Sequence, residues 1–342
     1  MSKNKILVTG GTGYIGSHTV VELQQNGFDV VIVDDLSNSS ISVLDKIEEI
    51  SGIRPDFEQF DLADKELTAQ FFQRHSEIIG IIHFAAFKAV GESMNKPLDY
   101  YRNNLMSIIN LLEGMKTRGI QNMVFSSSCT VYGQPDELPV TEQAPIKPAW
   151  SPYGNTKQMC EDILRFTTMA HPFKAIALRY FNPTGAHQSA LIGELPLGVP
   201  NNLVPFITQT AIGKRECLSV YGNDYDTSDG TAVRDYIHVV DLAKAHVIAV
   251  ERMLNGKSKS DFEIFNLGTG DGYSVLDVIK AFERVSGKKL NYKIVARRPG
   301  DIEKVWADTK FANKELGWKA EKGIDEMMES AWEWEKALAA KS

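Results

Sequence analysis

KILVTGGTGYIG, from Lys5 to Gly16, opens the chain with a short apolar run that passes through spaced glycines into a helix-forming segment. Gly10 permits a sharp turn, Gly13 lets the backbone approach a pyrophosphate, and Gly16 lets the helix press on the strand. The N-terminus of that helix offers unpaired N–H groups to an anion. The spacing is G-x-x-G-x-x-G with an extra Gly11, not the commoner G-x-G-x-x-G. Three glycines alone are weak evidence, and their place between a strand and a helix is the context a dinucleotide fingerprint requires. The plainer alternative is a glycine-rich turn without a ligand.

Working outward, short apolar runs alternate with amphipathic stretches through the first half. Strands are expected at 5–9, 30–34, 56–60, 80–85, 122–127 and 174–180, and helices near 14–26, 42–50, 65–75, 98–118 and 153–170. That alternation predicts a Rossmann-type doubly wound parallel sheet of the α/β class. Asp34 ends the second strand, VVIVD, where a carboxylate accepts hydrogen bonds from an adenosine ribose and repels a 2′-phosphate. NAD is therefore favoured over NADP, with Asp35 a competitor for the role. Asp61, closing the third strand, either meets the adenine or caps the next helix.

From about Pro183 the texture changes. PTGAHQSALIGELPLGVPNN is rich in Gly and Pro and reads as a long loop, which inside a compact domain is more often functional than idle. Helices near 203–213, 239–254, 275–285 and 324–337 follow, with strand-like FEIFNL and LNYKIV among them. Residues 1–182 are expected to form the NAD-binding domain. Residues 183–342 are expected to form a smaller α/β substrate-binding lobe, with the chain crossing back to the first domain. NLGTGDG, Asn266 to Gly272, has the wrong spacing for the fingerprint, and Ser274 reads as an ordinary helix N-cap.

The chemistry points to SPYGNTK. Tyr153 and Lys157 are four residues apart on a helix, so they share a face. A phenol titrates near pH 10, and the ammonium beside it, with an oxidised nicotinamide, is expected to lower that value toward use as a base. Ser126, Ser127 and Ser128 end the fifth strand at the carboxyl edge, where open α/β sheets bind ligands. One of these hydroxyls would hydrogen-bond the reacting oxygen. A YxxxK alone is common, and an exposed helix pair is the alternative.

The 342 residues carry a formal charge of −7, against a nucleic-acid or anionic-membrane surface, which needs a basic footprint. Cys129, Cys160 and Cys217 show no CxxC spacing, so neither a zinc site nor a disulfide framework is expected. The first apolar run is too short for a signal segment, and no later one reaches transmembrane length, so a cytoplasmic protein without metal is expected. His238, inside DYIHVVD, is expected to be structural.

GGTGYIG, FAAFKAVGES, SSSCTVYG, YGNTK and VRDYIHVVDLA together resemble the extended short-chain dehydrogenase/reductase superfamily, from Lys5 to about Trp334. RYFNPTGAH, PNNLVPFI and GTAVRDYIH narrow the resemblance to its nucleotide-sugar 4-epimerases. The resemblance implies reversible epimerisation at C4 of a UDP-hexose, UDP-glucose or UDP-galactose, through a transient 4-keto sugar, with tightly bound NAD as the recycled hydride acceptor. It implies Tyr153 as base, Lys157 as its activator and nicotinamide-ribose ligand, and Ser128 as hydroxyl relay. Further cofactor contacts implied are Gly10, Gly13, Tyr14, Ile15, Gly16, Asp34, Leu36, Asn38, Ser39, Asp61, Leu62, Phe84, Ala85, Lys88, Asn103, Ser126, Tyr180 and Phe181. The UDP-sugar would meet Asn182, Asn202, Leu203, Tyr221, Arg234, Tyr236, Arg298, Asp301 and Val305. Arg234 and Arg298 suit a diphosphate, since a guanidinium forks onto phosphate oxygens; inter-lobe salt bridges are the alternative. The family's usual homodimer would pair the helices near 98–118 and 153–170.

Two positions depart from the pattern. Val305 stands where glucose-restricted epimerases tend to carry Tyr; the smaller valine frees volume near C2, so UDP-GlcNAc and UDP-GalNAc are expected to be accepted as well. Cys129 replaces a common alanine and is expected to pack behind the site. The 4,6-dehydratases need an Asp–Glu pair directly after the serine or threonine, and those places hold Cys129 and Thr130. Decarboxylating relatives need a uronate-binding feature that is not recognisable here. A non-catalytic NAD-binding sensor is the rival from another class, and the retained Ser128, Tyr153 and Lys157 argue against it.

Overall fold

A computed structural model describes residues 4–298 and 302–340 of the chain. In β1 (Lys5–Thr9), Ile6 and Val8 enter one core and Leu7 the other, because successive strand side chains point to opposite faces. β2 (Asp29–Asp34) repeats the division, with Val30 and Ile32 beside Ile6 and Val8, and Val31 and Val33 beside Leu7. Both faces of the sheet are thus apolar, and helices have to cover both.

The first half continues as α1 (Tyr14–Gln25) after β1, α2 (Val43–Ser51), β3 (Asp56–Gln59), α3 (Lys65–Arg74) and β4 (Ile78–His83). The short α4 (Val90–Asn95), which the sequence reading lacks, precedes α5 (Pro97–Arg118), β5 (Asn122–Ser126), α6 (Pro152–Ala170) and β6 (Lys174–Tyr180). Gly119 ends α5 in the left-handed conformation (φ 71°), which costs a residue without Cβ nothing.

The second half is more broken. β7 (Asn182–Thr184) opens the expected loop, and α7 (Leu203–Ala211) and β8 (Leu218–Tyr221) follow it. Then come β9 (Val233–Arg234), β10 (Tyr236–His238), α8 (Val239–Leu254), β11 (Phe262–Leu267) and β12 (Tyr273–Ser274). α9 (Val275–Ser286), β13 (Tyr292–Val295), β14 (Lys304–Val305) and α10 (Ile324–Ala339) complete the described chain.

The main sheet runs β3-β2-β1-β4-β5-β6-β11, every pair parallel. Strand order reverses between β1 and β4, which opens a crevice at their carboxyl ends. α1, α2 and α8 cover one face, while α3, α5 and α6 cover the other. α8 and β11 therefore pack with the nucleotide-type sheet although they lie beyond residue 182. A separate core joins α7, β8, α9 and α10 around Phe282, Met327, Met328 and Trp332. Among the described residues no helix is long and apolar enough to cross a membrane.

Candidate active site

The β1–α1 turn sits at the crevice. Gly10 has φ 70°, and a Cβ on Gly16 would lie 2.2 Å from the Gly10 carbonyl oxygen, so only glycine allows α1 to start this close to the strand. No side chain caps α1 and no acid lies in its first turn, so the N–H groups near Tyr14 and Ile15 remain available to an anion. Asp34, 8 % exposed, accepts from the Thr12 N–H (3.2 Å), the Leu36 N–H (3.0 Å) and Ser39 Oγ (3.1 Å). Leu36 takes a left-handed φ of 61°, which turns the chain back over that carboxylate. Asp35 instead faces solvent and closes a local turn on Ser37, which leaves Asp34 as the buried carboxylate at the end of the strand. An uncapped helix start beside a buried carboxylate at the end of the second strand fits NAD.

Other expected cofactor residues rim the same edge. Asp61 does not cap α3: Asp64 does, accepting from the Glu66 and Leu67 N–H groups, while Asp61 accepts from the Ala63 N–H at 2.8 Å. The Leu62 side chain belongs to the core. Phe84 and Ala85 follow β4, with the Ala85 N–H on Thr9 Oγ1 and the Phe84 ring 4.6 Å from that of His246. Lys88 and Asn38 are exposed, and Asn103 donates to Asn104 Oδ1. The Tyr14 hydroxyl reaches across to the Gly185 carbonyl at 2.6 Å, tying α1 to the long loop. Thr12, which also meets Ser39 Oγ at 2.8 Å, was hidden inside the glycine stretch, and Glu194, which accepts from Asn202, had no sequence signal.

The three serines after β5 separate cleanly. Ser126 meets the Tyr180 hydroxyl, and its carbonyl accepts from Lys157 Nζ at 2.7 Å. Ser127 turns away into the protein. Ser128 faces Tyr153, and its Oγ accepts from the Thr130 N–H (3.2 Å) and Thr130 Oγ1 (3.0 Å), which leaves its own proton to point at the Tyr153 oxygen.

Burial pushes the Tyr153 phenol well above its ordinary value of 10, and the nearby Ser128 opposes this only in part. Lys157 Nζ stands 5.8 Å from the Tyr153 ring centroid and donates to the Ser126 carbonyl. Burial also brings Lys157 itself down to about 8.

Beyond Ser128, Tyr153 and Lys157, Val305 pairs with Arg234 between β14 and β9, and packs in a cluster with Phe181, Tyr132 and Cys129. Burial pushes the Cys129 thiol to about 12, so it is no thiolate at neutral pH. Arg234 donates to the Val233 carbonyl at 2.8 Å, and its charge is felt by Cys129 and Tyr236. Tyr236 is buried in the second core, whereas Asn182 begins β7 and Leu203 begins α7. The Arg298 guanidinium lies 5.6 Å from the Tyr221 ring centroid. Asp301 lies outside the described residues.

The second glycine cluster is occupied by the protein itself. Asp235, fully buried, accepts from the Thr269 and Gly270 N–H groups, Thr269 Oγ1 and the Ala307 N–H. Ser274 caps α9 in a capping box with Asp277. His238 caps α8 through Nδ1 and contacts Ser330 through Nε2, a structural role.

The family described as GDP-mannose 4,6 dehydratase matches residues 7–331. UDP-glucose 4-epimerase of Haemophilus influenzae is 52% identical over 332 residues, covering 97% of each chain. The crystal structure of the Stenotrophomonas maltophila UDP-glucose 4-epimerase, with bound NAD and formylated UDP-arabinopyranose, superposes with a TM-score of 0.95 at 48% identity over 99% of this chain and all of that one. That of Bifidobacterium longum, in complex with NAD+ and UDP, gives 0.93 at 48% identity over 98% and 99% of the two chains. With a nucleotide turn suited to NAD, and with Cys129 and Thr130 where a dehydratase would place an acid and a base, the chain belongs to the UDP-glucose 4-epimerase family.

Proposed function

We propose that this chain interconverts UDP-glucose and UDP-galactose by inverting C4 through a transient 4-keto sugar. The observation that carries the reading is the convergence of Tyr153, Ser128 and Lys157 at the carboxyl edge, beside the nucleotide turn. NAD, when bound, supplies a reversible hydride acceptor for C4 and a positive ring that favours the Tyr153 phenolate. Tyr153 Oη takes the C4 hydroxyl proton and later returns it, and Ser128 Oγ hydrogen-bonds the same sugar oxygen. Lys157 holds its charge against the Ser126 carbonyl, where it orients a ribose hydroxyl. Arg234 and Arg298 grip the diphosphate, and Asp301 takes the uridine ribose. The hexose then turns over on a fixed UDP anchor between the reacting atoms and the Val305–Phe181 wall.

Val305 in place of a tyrosine supports turnover of UDP-GlcNAc and UDP-GalNAc as well. Exposed Met106 on α5 and Met159, Phe166 and Met169 on α6 support a homodimer that pairs these helices with their copies. The lack of a spanning helix among the described residues accords with a cytoplasmic enzyme.

Incubating the purified chain with UDP-galactose and UDP-GalNAc without added NAD, and identifying products by chromatography, tests the reading. UDP-glucose and UDP-GlcNAc should form from retained cofactor. No conversion of UDP-galactose by NAD-replete protein would refute the activity, and NADH accumulating in step with product would refute the recycling.

A further inference from the structure

Behind the catalytic groups lies a buried ion pair for which the reaction has no use. Glu161 stands one turn beyond Lys157 on α6, on the same face, and Arg179 comes from β6. Their side chains are 8 % and 3 % exposed. Glu161 Oε1 accepts from Arg179 Nε at 2.9 Å, and Oε2 accepts from Arg179 Nη2 at 2.5 Å. The guanidinium lies 4.7 Å over the Tyr132 ring, and the Tyr132 hydroxyl donates to Asn266 Oδ1 at 2.6 Å.

The same carboxylate takes a third bond. Ser127 Oγ donates to Glu161 Oε1 at 2.5 Å, from a residue with no solvent exposure. Ser127 sits between the residue whose carbonyl holds Lys157 and the residue whose hydroxyl faces Tyr153. Ser128 has extended backbone (φ −155°, ψ 150°), which sends its side chain away from that of Ser127, so pinning Ser127 inward directs Ser128 outward. One ion pair therefore joins the end of β5, α6, β6 and, through Arg179, the turn at Tyr132 behind the reacting groups.

Stability alone is a poor reason for such a pair. Desolvating two ions offsets most of their attraction, and well-packed apolar replacements are often neutral or stabilising. A fixed register is the better-attested use of a buried charge, and catalysis is sensitive to displacements near 1 Å. We infer that Glu161, locked by Arg179, is a positioning residue that grips Ser127 and so sets the Ser128 hydroxyl and the Lys157 ammonium against Tyr153. This rests on the catalytic roles proposed above for Ser128, Tyr153 and Lys157.

Ser127→Ala, Ser127→Thr and the apolar double variant Glu161→Met/Arg179→Met test it. For UDP-galactose, Ser127→Ala and the double variant should lose roughly ten- to a hundredfold in kcat while KM stays within about twofold. Ser127→Thr keeps the hydroxyl and should recover at least half of the wild-type kcat. A crystal structure of Ser127→Ala should show the Lys157 Nζ to Ser126 carbonyl contact, 2.7 Å in the wild type, lost or lengthened. Wild-type kcat in Ser127→Ala with that contact intact would overturn the inference, as would a rise in KM matching the fall in kcat. Should wild-type enzyme fail to convert UDP-galactose, the catalytic reading falls, and the contact in the Ser127→Ala crystal still decides whether the grip is real.

Discussion

Replacing Lys157 by methionine separates what the amine does to folding from what it does in catalysis. Burial brings the ammonium from 10.5 to about 8, against weaker upward effects of Cys160 and Glu161. An amine whose folded value lies below its unfolded value binds fewer protons in the native state between pH 8 and 10.5. The unfolded chain holds the extra proton there, so wild-type stability rises with pH through that window relative to a variant lacking the amine. The gain is about 2 kcal/mol between pH 7 and pH 9.5, and about 3 kcal/mol over the whole window. Methionine also leaves the Ser126 carbonyl without this donor, a loss that is equal at both pH values and drops out of the difference. Urea titrations of both proteins at the two pH values, followed by tryptophan fluorescence, measure it. The variant should lose roughly 10²- to 10⁴-fold in kcat, and the wild-type kcat should decline above about pH 8. A stability difference that stays constant to within about 0.5 kcal/mol across the two pH values would refute a desolvated, titrating Lys157.

Gly16→Ala places a Cβ 2.2 Å from the Gly10 carbonyl oxygen, so α1 must withdraw from β1. The variant should lose most co-purifying NAD, read by enzymatic assay of the denatured protein, and about 1–3 kcal/mol of stability. Val305→Tyr fills the wall beside Phe181 and should cut the ratio of UDP-GalNAc to UDP-galactose turnover at least about tenfold, a discrimination well within the range of a pocket-filling change. His238 is held near 3 by burial, first, and by Lys322, His187 and Lys244, so it is neutral when folded and its stabilising share is lost as pH falls below 6.5. His238→Asn keeps a capping side chain and should reduce the stability lost between pH 8 and pH 5 by about 2 kcal/mol in parallel urea titrations.

Local features were readable wherever one contiguous segment carries its own signal. β1 and β6 occupy the expected spans, Lys5–Thr9 and Lys174–Tyr180, each built around an apolar run, and α8 follows its helical period from Val239 to Leu254. β9, β12 and β14 are two residues each, too short for any period, so the sheet that presents Arg234 and Val305 left no trace in the chain. The Asp61 alternative of capping α3 fails because Asp64 stands directly before the helix and Asp61 does not.

By itself the sequence determined the nucleotide turn and the parallel sheet and singled out Tyr153 and Lys157 as candidates for the chemistry, since glycine spacing, apolar runs and a four-residue helical interval are all short-range properties. Only the tertiary structure decided which of three adjacent serines faces the tyrosine, how strongly burial pushes the phenol up, and that Asp235 fills the second glycine loop. Those outcomes depend on burial and on partners from distant strands, and desolvation is a property of everything packed around a group, which no local pattern encodes.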